Sequence, residues 1–409
     1  MTSDPEDFSS LSLFKATPEQ VTESLRRAKS HWGKDFTEQE YLDRDALWTR
    51  ELECAKDGKF TTWVLAPRDD SETLNFKCSC KMFKRPGIVA RKGELQLQEE
   101  RINIYTIGSV FTPLAHRGYG YAGHMMRLLH WILAPHSFLS QFTFPANVWG
   151  EPPHRDSAAG DGALSVLYSE IGSIFYKTCG ILPIAKPFYY NEDDVRAGWI
   201  VRGASSVVWS IDATKSTAAD ESLSEGDTWE YLNEGQVDEL WDHDAALMSK
   251  DIIDVFSSPD TPESTAFATL SNGGIESFNR RRFVHVLQDY DVNQWGIAIQ
   301  SPNSHSFITW TIELPRKGVK YEPEFRKNLM ITRLRMAKES HFRFALLRVF
   351  EVARKNGIPR VEVWDLPANL KVVAKELGGV EVQRNKQLPA FKWYGKERPR
   401  DVKWMFNER

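Results

Sequence analysis

The order of apolar patterns along the 409 residues predicts an α/β chain of the α+β type, a mixed and mostly antiparallel sheet flanked by helices. Three observations carry this. Two helical patterns precede three short β-branched or aromatic runs. A glycine-rich turn then converts the last run into an apolar helix. Helix, strand and helix ending in Gly recur in the second half, which predicts that this half is a diverged copy of the first.

The segments PEQVTESLRRAKSHW (18–32) and TEQEYLDRDALWTRELECA (37–55) have helical spacing, and Thr37 with Glu40 has the pattern of a capping box. TTWVLAP, NFKCSCKMF and RINIYTIGSVF follow as strands, separated by the polar turns RDDSET and ARKGELQ, and predict an antiparallel meander. From Tyr121 to Leu133, Ala122, Met125, Met126, Leu129, Ile132 and Leu133 recur at steps of three and four, and Pro135 stops the pattern. ALSVLYSEI then reads as a strand and GSIFYKTCG as a short helix closed by Gly180.

Residues 212–228 are polar, acidic and poor in large apolar side chains, so they read as a linker between residues 1–211 and 229–409. Beyond it come the helical EGQVDELWDHDAALMSK, strands QWGIAIQ and SFITWTIEL, the long helix HFRFALLRVFEVARKNG, the strand RVEVWDL and the helix NLKVVAKELGG. Trp295, Trp310 and Trp364 are expected to help cover apolar surface of the first half.

With 41% hydrophobic and 26% charged residues, including 14 Trp and 23 Phe, the chain has ample apolar surface for folded domains. A net charge of −4 gives no global attraction to nucleic acid or anionic lipid. Nine basic residues between Arg326 and Lys355 read as a solvated helix face. No run approaches the roughly 20 apolar residues of a membrane span, and the acidic, polar N-terminus does not read as a signal, so a cytoplasmic protein is expected. Cys54, Cys78, Cys80 and Cys179 include no CxxC pair and read as isolated core thiols. His124, His130 and His136 recur every six residues, which does not place them on one helix face, so no metal site is expected.

The stretch TPLAHRGYGYAGHMMRLLHWIL (112–133) carries the chemistry. Small residues alternate at 118, 120 and 122 between Arg117 and the helix, where bare backbone would present N–H groups to an anion at the positive end of the helix dipole. A pyrophosphate suits such a turn, whereas simple chain reversal would not require the alternation or the arginine. No Lys-Ser or Lys-Thr follows, as a Walker A loop needs, and GYGYAG sits after antiparallel-type strands, not after the first parallel strand of a dinucleotide fingerprint, so both motifs fit badly.

Arg117, Gly118, Gly120 and Ala122 match the RGxGxA form of the acetyl-CoA loop of the GCN5-related N-acetyltransferases, and SEIGSIFYKTCGI (169–181) is similar to that family's second signature. Residues 10–210 carry the match, and the chain as a whole resembles the fungal lysine N-acetyltransferases. Pro113 lies one residue earlier than the proline commonly found before the loop, and Ser169 stands where the family often has Asn.

The resemblance implies the acyl-CoA N-acyltransferase fold, acetyl-CoA as acetyl donor, and a small-molecule amine, free L-lysine, as acceptor. Another small amine, a polyamine or a protein lysine stays open, as does a non-catalytic acyl-CoA-binding module. It implies cofactor contacts from Phe111, Thr112, Leu114, Arg117, Gly118, Tyr119, Gly120, Tyr121, Ala122 and Ser169. Tyr176 aligns with the tyrosine that protonates the leaving thiolate; read alone, it is a helix tyrosine beside Phe175. Glu170 is a candidate for binding or deprotonating the amine, and His116 reads as a bystander beside the loop. In the second half RLRMAKESH stands where the glycines would be, so no second pyrophosphate cradle is expected.

Overall fold

A computed structural model of the chain describes residues 7–34, 36–51, 53–93, 98–155, 159–183, 194–212, 222–257, 263–273, 292–302, 304–313 and 327–406. The chain forms two compact units, each discontinuous in sequence. The first holds residues 1–202, 251–270 and 385–404, the second 203–250, 271–384 and 405–409. Element labels below run along the whole chain.

In the first unit, β1 (Leu11–Lys15), β2 (Phe60–Pro67), β3 (Cys78–Arg91) and β4 (Gln98–Phe111) form the antiparallel meander, with β1 an addition to the three strands read from sequence. Between β1 and β2 lie α1 (Pro18–Trp32) and α2 (Glu38–Glu51). The Thr37–Glu40 capping box is present: the Glu40 N–H donates to Thr37 Oγ1 at 3.2 Å and the Thr37 N–H to the Glu40 carboxylate at 2.7 Å. Helix α3 (Tyr121–Leu133) has the bounds that its apolar period predicts, and it crosses to β5 (Gly162–Ser169), which pairs parallel with β4. Short helices α4 (His136–Leu139) and α5 (Ala146–Trp149) lie on that crossover, and α6 (Ile174–Thr178) follows β5.

The other neighbour of β5 comes from far along the chain. β15 (Leu388–Trp393) pairs antiparallel with β5 and with β6 (Ile200–Val201), while β9 (Thr265–Thr269) pairs with β3 and with β16 (Val402–Trp404). The core beneath this nine-stranded sheet packs Met125, Leu129 and Ile132 of α3 against Leu65, Cys80, Ile107 and Leu167. All four cysteines lie buried as free thiols in this unit.

The second unit repeats the order on a seven-stranded sheet. Strands β8 (Thr228–Leu232), β10 (Gly296–Ser301), β11 (Ser304–Glu313) and β12 (Asn328–Arg335) are antiparallel. Helix α7 (Glu234–Asp254) follows β8. Helix α8 (Glu339–Lys355) then crosses to β13 (Arg360–Trp364), parallel to β12, and α9 (Ala368–Glu376) follows. The antiparallel neighbour of β13 is β7 (Ser205–Ser210), which β14 (Val380–Gln383) flanks in turn.

The element order read from sequence thus recurs in both sheets, but each sheet takes the strand beside its parallel pair from a distant stretch of chain. The boundary placed at 212–228 by composition does not coincide with this division: β7 precedes it and β15 lies far beyond it. Within the polar stretch, residues 213–221 lie outside the described residues, as does Arg326 of the basic run. Trp295, Trp310 and Trp364, expected to cover the first half, all belong to the second unit and are buried, Trp295 and Trp310 within its main apolar core.

Candidate active site

Strand β4 and helix α3 meet at the glycine turn. Gly118 and Gly120 have φ of +89° and +83°, left-handed values at which a Cβ is strained. Gly120 is the N-cap of α3, and no side chain caps the helix there. A Cβ at Gly118 would meet open space, whereas one at Gly120 would stand 3.2 Å from Phe8 Cζ. The turn is therefore a solvent-facing backbone cradle at the positive end of a thirteen-residue helix, which is the arrangement that the phosphates of a coenzyme A group require.

The strands separate just before this cradle. The β4–β5 ladder ends at Ile107↔Leu167, while β4 continues against β3 to Ser79↔Phe111 through a register shift at which Ser109 takes φ +50°. The segment Gly108–Phe111 is thus turned out of the parallel pair. Tyr176, on α6, packs in the same cluster as Ile107 and Leu167.

The cradle residues differ in exposure. Arg117 is exposed, its Nε donating to the Thr112 carbonyl at 3.0 Å. Leu114 and Tyr119 are exposed apolar groups on the rim, at 80% and 43%. Phe111 and Tyr121 are buried, Phe111 near Trp32 and Tyr121 under Lys77, whose Nζ stands 5.5 Å from the ring centroid. Only their backbone is available to a ligand. Ala122 is half-buried on the first turn, and the His116 ring stands 5.9 Å from that of Tyr121.

Ser169 is fully engaged locally. Its buried hydroxyl donates to the Gly172 carbonyl at 2.6 Å and accepts from the Ile171 N–H at 3.3 Å, closing the turn between β5 and α6. Glu170 is exposed at the strand end. The Tyr176 phenol is held above its ordinary range by burial, then by the Cys179 and Cys80 thiols and the Glu170 carboxylate. Among the described residues its hydroxyl has no hydrogen-bond partner. The phenol is therefore protonated at neutral pH, and the exposed Glu170 carboxylate is one of the groups that keep it so.

Three features escaped sequence reasoning. Phe8 stacks on the His124 ring at 4.5 Å and borders Gly120. His124 is buried with neither ring nitrogen paired, and burial, with Arg127 and Arg68 nearby, lowers it to about 3. Arg127 and His130 of α3 donate to carbonyls at the end of α6. The i, i+3 spacing of Arg127 and His130 was visible, but nothing local says what lies opposite.

At the corresponding place in the second unit the Ala337 N–H donates to Ser306 Oγ at 2.9 Å. His341 is buried between Ser306 (2.9 Å) and Asp227 (3.1 Å), so the chain's own groups fill the start of α8. The Ser306 hydroxyl is fully buried and unavailable as a nucleophile. A separate cavity of 640 Å³ opens in the first unit at the start of β4 and β5. Its Arg91 is paired with Glu100 and Glu397, and none of the predicted site residues line it.

Residues 210–409 match the family model described as the LYC1 GNAT-like C-terminal domain. This half of the chain belongs to the GNAT-like domains, those of the GCN5-related N-acetyltransferase (GNAT) superfamily. A stretch of 112 residues of this chain is 26% identical to a protein of Yarrowia lipolytica (strain CLIB 122 / E 150) named lysine acetyltransferase, spanning 27% of the chain and 26% of that relative. Similar solved structures include a GCN5-related N-acetyltransferase from Anabaena variabilis, at 13% identity and TM-score 0.47, covering 94% of this chain and 73% of that one. Another, from Kribbella flavida, has 14% identity and TM-score 0.43, covering 93% and 70%. Among the described residues no helix is long and apolar enough to cross a membrane.

Proposed function

We propose that the chain is an acetyl-CoA-dependent N-acetyltransferase that transfers the acetyl group directly to an amine, the side-chain amine of free L-lysine. The observation that carries the reading is the conjunction, within one unit, of an uncapped glycine cradle, a parallel strand pair that parts beside it, and an unengaged buried phenol at the parting. The choice of lysine draws its support from the name of the Yarrowia relative.

The residues fit an acyl-CoA group on the geometry above: positive-φ backbone for the phosphates, Arg117 beside it for charge, and Leu114 and Tyr119 as exposed apolar rim. Acetyl-CoA supplies an activated acetyl thioester. The Gly108–Phe111 backbone, turned out of the parallel ladder, offers hydrogen-bonding groups along the parting and polarises a carbonyl placed there. Glu170 at the strand end orients the amine and takes its proton, directly or through water, so that it attacks as the neutral nucleophile. Tyr176, still protonated at neutral pH, delivers a proton to the departing thiolate.

Thiol release from acetyl-CoA, measured against lysine, polyamines, other small amines and lysine-containing peptides, tests both levels of the reading. Turnover with lysine at the highest kcat/KM is expected. Turnover with another amine would replace the acceptor but keep the reaction, and binding of acetyl-CoA without turnover on any amine would make the site a sensor.

A further inference from the structure

Helix α6 has five residues, too few to stabilise itself, and its last carbonyls have no backbone N–H partner inside the helix. Each carbonyl from 175 to 179 is nonetheless satisfied. Phe175 O accepts from Thr178 Oγ1 at 2.7 Å and Cys179 Sγ at 3.2 Å. Tyr176 O accepts from the N–H groups of Cys179 and Trp199, each at 3.1 Å, and Lys177 O from the Gly198 N–H at 2.9 Å. Thr178 O accepts from Arg127 Nη2 at 3.0 Å, and Cys179 O from His130 Nε2 at 2.8 Å.

The helix that presents Tyr176 is therefore held by α3, whose other end is the glycine cradle, and by residues 198–199. The second support is close: a Cβ on Gly198 would fall 2.0 Å from Tyr176 O and 2.8 Å from Cys179 O. Lys392 Nζ donates to the carbonyls of Val195 (2.5 Å) and Ala197 (2.6 Å), fixing that support from β15.

The bond from His130 has a determined direction. A carbonyl only accepts, so Nε2 carries the hydrogen and Nδ1 must accept, from the Tyr394 hydroxyl at 3.0 Å. The Tyr394 oxygen is then free to accept from the Ser165 hydroxyl at 3.0 Å, and the Ser165 oxygen accepts from Trp199 Nε1–H at 3.0 Å. Every link from Trp199 to the Cys179 carbonyl runs one way. The chain requires a neutral imidazole, which burial enforces, with the Lys392 and Arg127 cations adding to it.

We propose that His130 and Tyr394 are positioning residues for Tyr176: through the Cys179 carbonyl they set where α6 stands relative to the cradle, and so where the phenol meets the thioester sulfur. This rests on the reading of Tyr176 as the proton donor. It assigns a role in the reaction to Tyr394, fifteen residues from the C-terminus, which reaches the site only because β15 completes the first sheet.

A double-mutant cycle tests it. His130→Phe should lower kcat by about tenfold or more, with acetyl-CoA affinity within about twofold of wild type, and His130→Gln, which keeps one donor and one acceptor, should restore most of the loss. Added to Tyr176→Phe, His130→Phe should cost nothing further, because a group acting through the phenol has no effect once the phenol is gone. Tyr394→Phe, a smaller change, should behave in the same way at about three- to tenfold and serves if His130→Phe does not fold. Multiplying losses, or unchanged kcat in Tyr394→Phe, would overturn the proposal. Wild-type kcat in Tyr176→Phe alone would instead overturn the proton-donor reading.

Discussion

Tyr176→Phe separates chemistry from packing because it removes the hydroxyl and keeps the ring. The hydroxyl has no hydrogen-bond partner among the described residues, and the residue is only 9% exposed. The hydroxyl oxygen is not among the buried polar atoms left without a partner, so it keeps access to solvent, and removing it should leave the unfolding temperature within about 2 °C of wild type for a unit of this size. Loss of a general acid should lower kcat by about 10²- to 10⁴-fold, or about 3–5 kcal/mol of barrier, with acetyl-CoA affinity retained. Thiol release at saturating amine, calorimetric binding of acetyl-CoA and thermal unfolding on the same preparation read all three. Because burial and the neighbouring thiols and carboxylate raise the phenol, wild-type kcat should show no falling limb from Tyr176 below about pH 10. A variant with kcat within twofold of wild type where chemistry is rate-limiting, or one that loses stability, would assign the ring to packing.

Gly120→Glu should weaken acetyl-CoA binding at least about tenfold by placing a carboxylate at the phosphate cradle, and Gly120→Ala less so, through a left-handed φ and the contact with Phe8; wild-type affinity in a folded Glu variant would remove the cradle assignment. His124 and His130 are both lowered to about 3 from an ordinary 6.5. The unfolded chain therefore binds more protons between those values, and stability present above pH 6.5 falls as pH drops, by about 2.7 kcal/mol per pH unit for the pair. Urea unfolding between pH 7.5 and 5 should show this, and His124→Phe should remove about half the slope; an unchanged slope refutes the burial argument. Asp244, fully buried between Arg333 Nε and Arg335 Nε at 2.7 Å each, should cost about 3–5 kcal/mol as Asp244→Asn, read from denaturant unfolding of the second unit; a neutral result would mean that the arginines are not neutralised by it. A fragment ending near residue 215 lacks β15, which covers β5, and should be insoluble; a soluble fragment with full-length kcat/KM would show that residues 385–404 are dispensable.

What the sequence determined by itself was local. The period of Met125, Leu129 and Ile132 set the bounds of α3, Thr37 and Glu40 set a helix start, and the alternation of Gly118 and Gly120 marked a turn that only a left-handed backbone makes. In each case the partners lie within a few residues, so the residue types encode the geometry directly. Pairing across the chain is written differently. Backbone N–H and C=O groups are chemically the same in every strand, so nothing in LPAFKW names β5 as its partner, and nothing in SSVVWS names β13. The same holds for the site. Ser169 looks free in sequence, but its hydroxyl is taken up by the turn that β5 makes into α6. His130 reads as one more residue of an apolar helix until β15 brings Tyr394 to one ring nitrogen and α6 brings the Cys179 carbonyl to the other. Only the folded sheet decides which side chains meet, because burial removes water as the alternative partner and leaves each polar group to find one from a distant part of the chain.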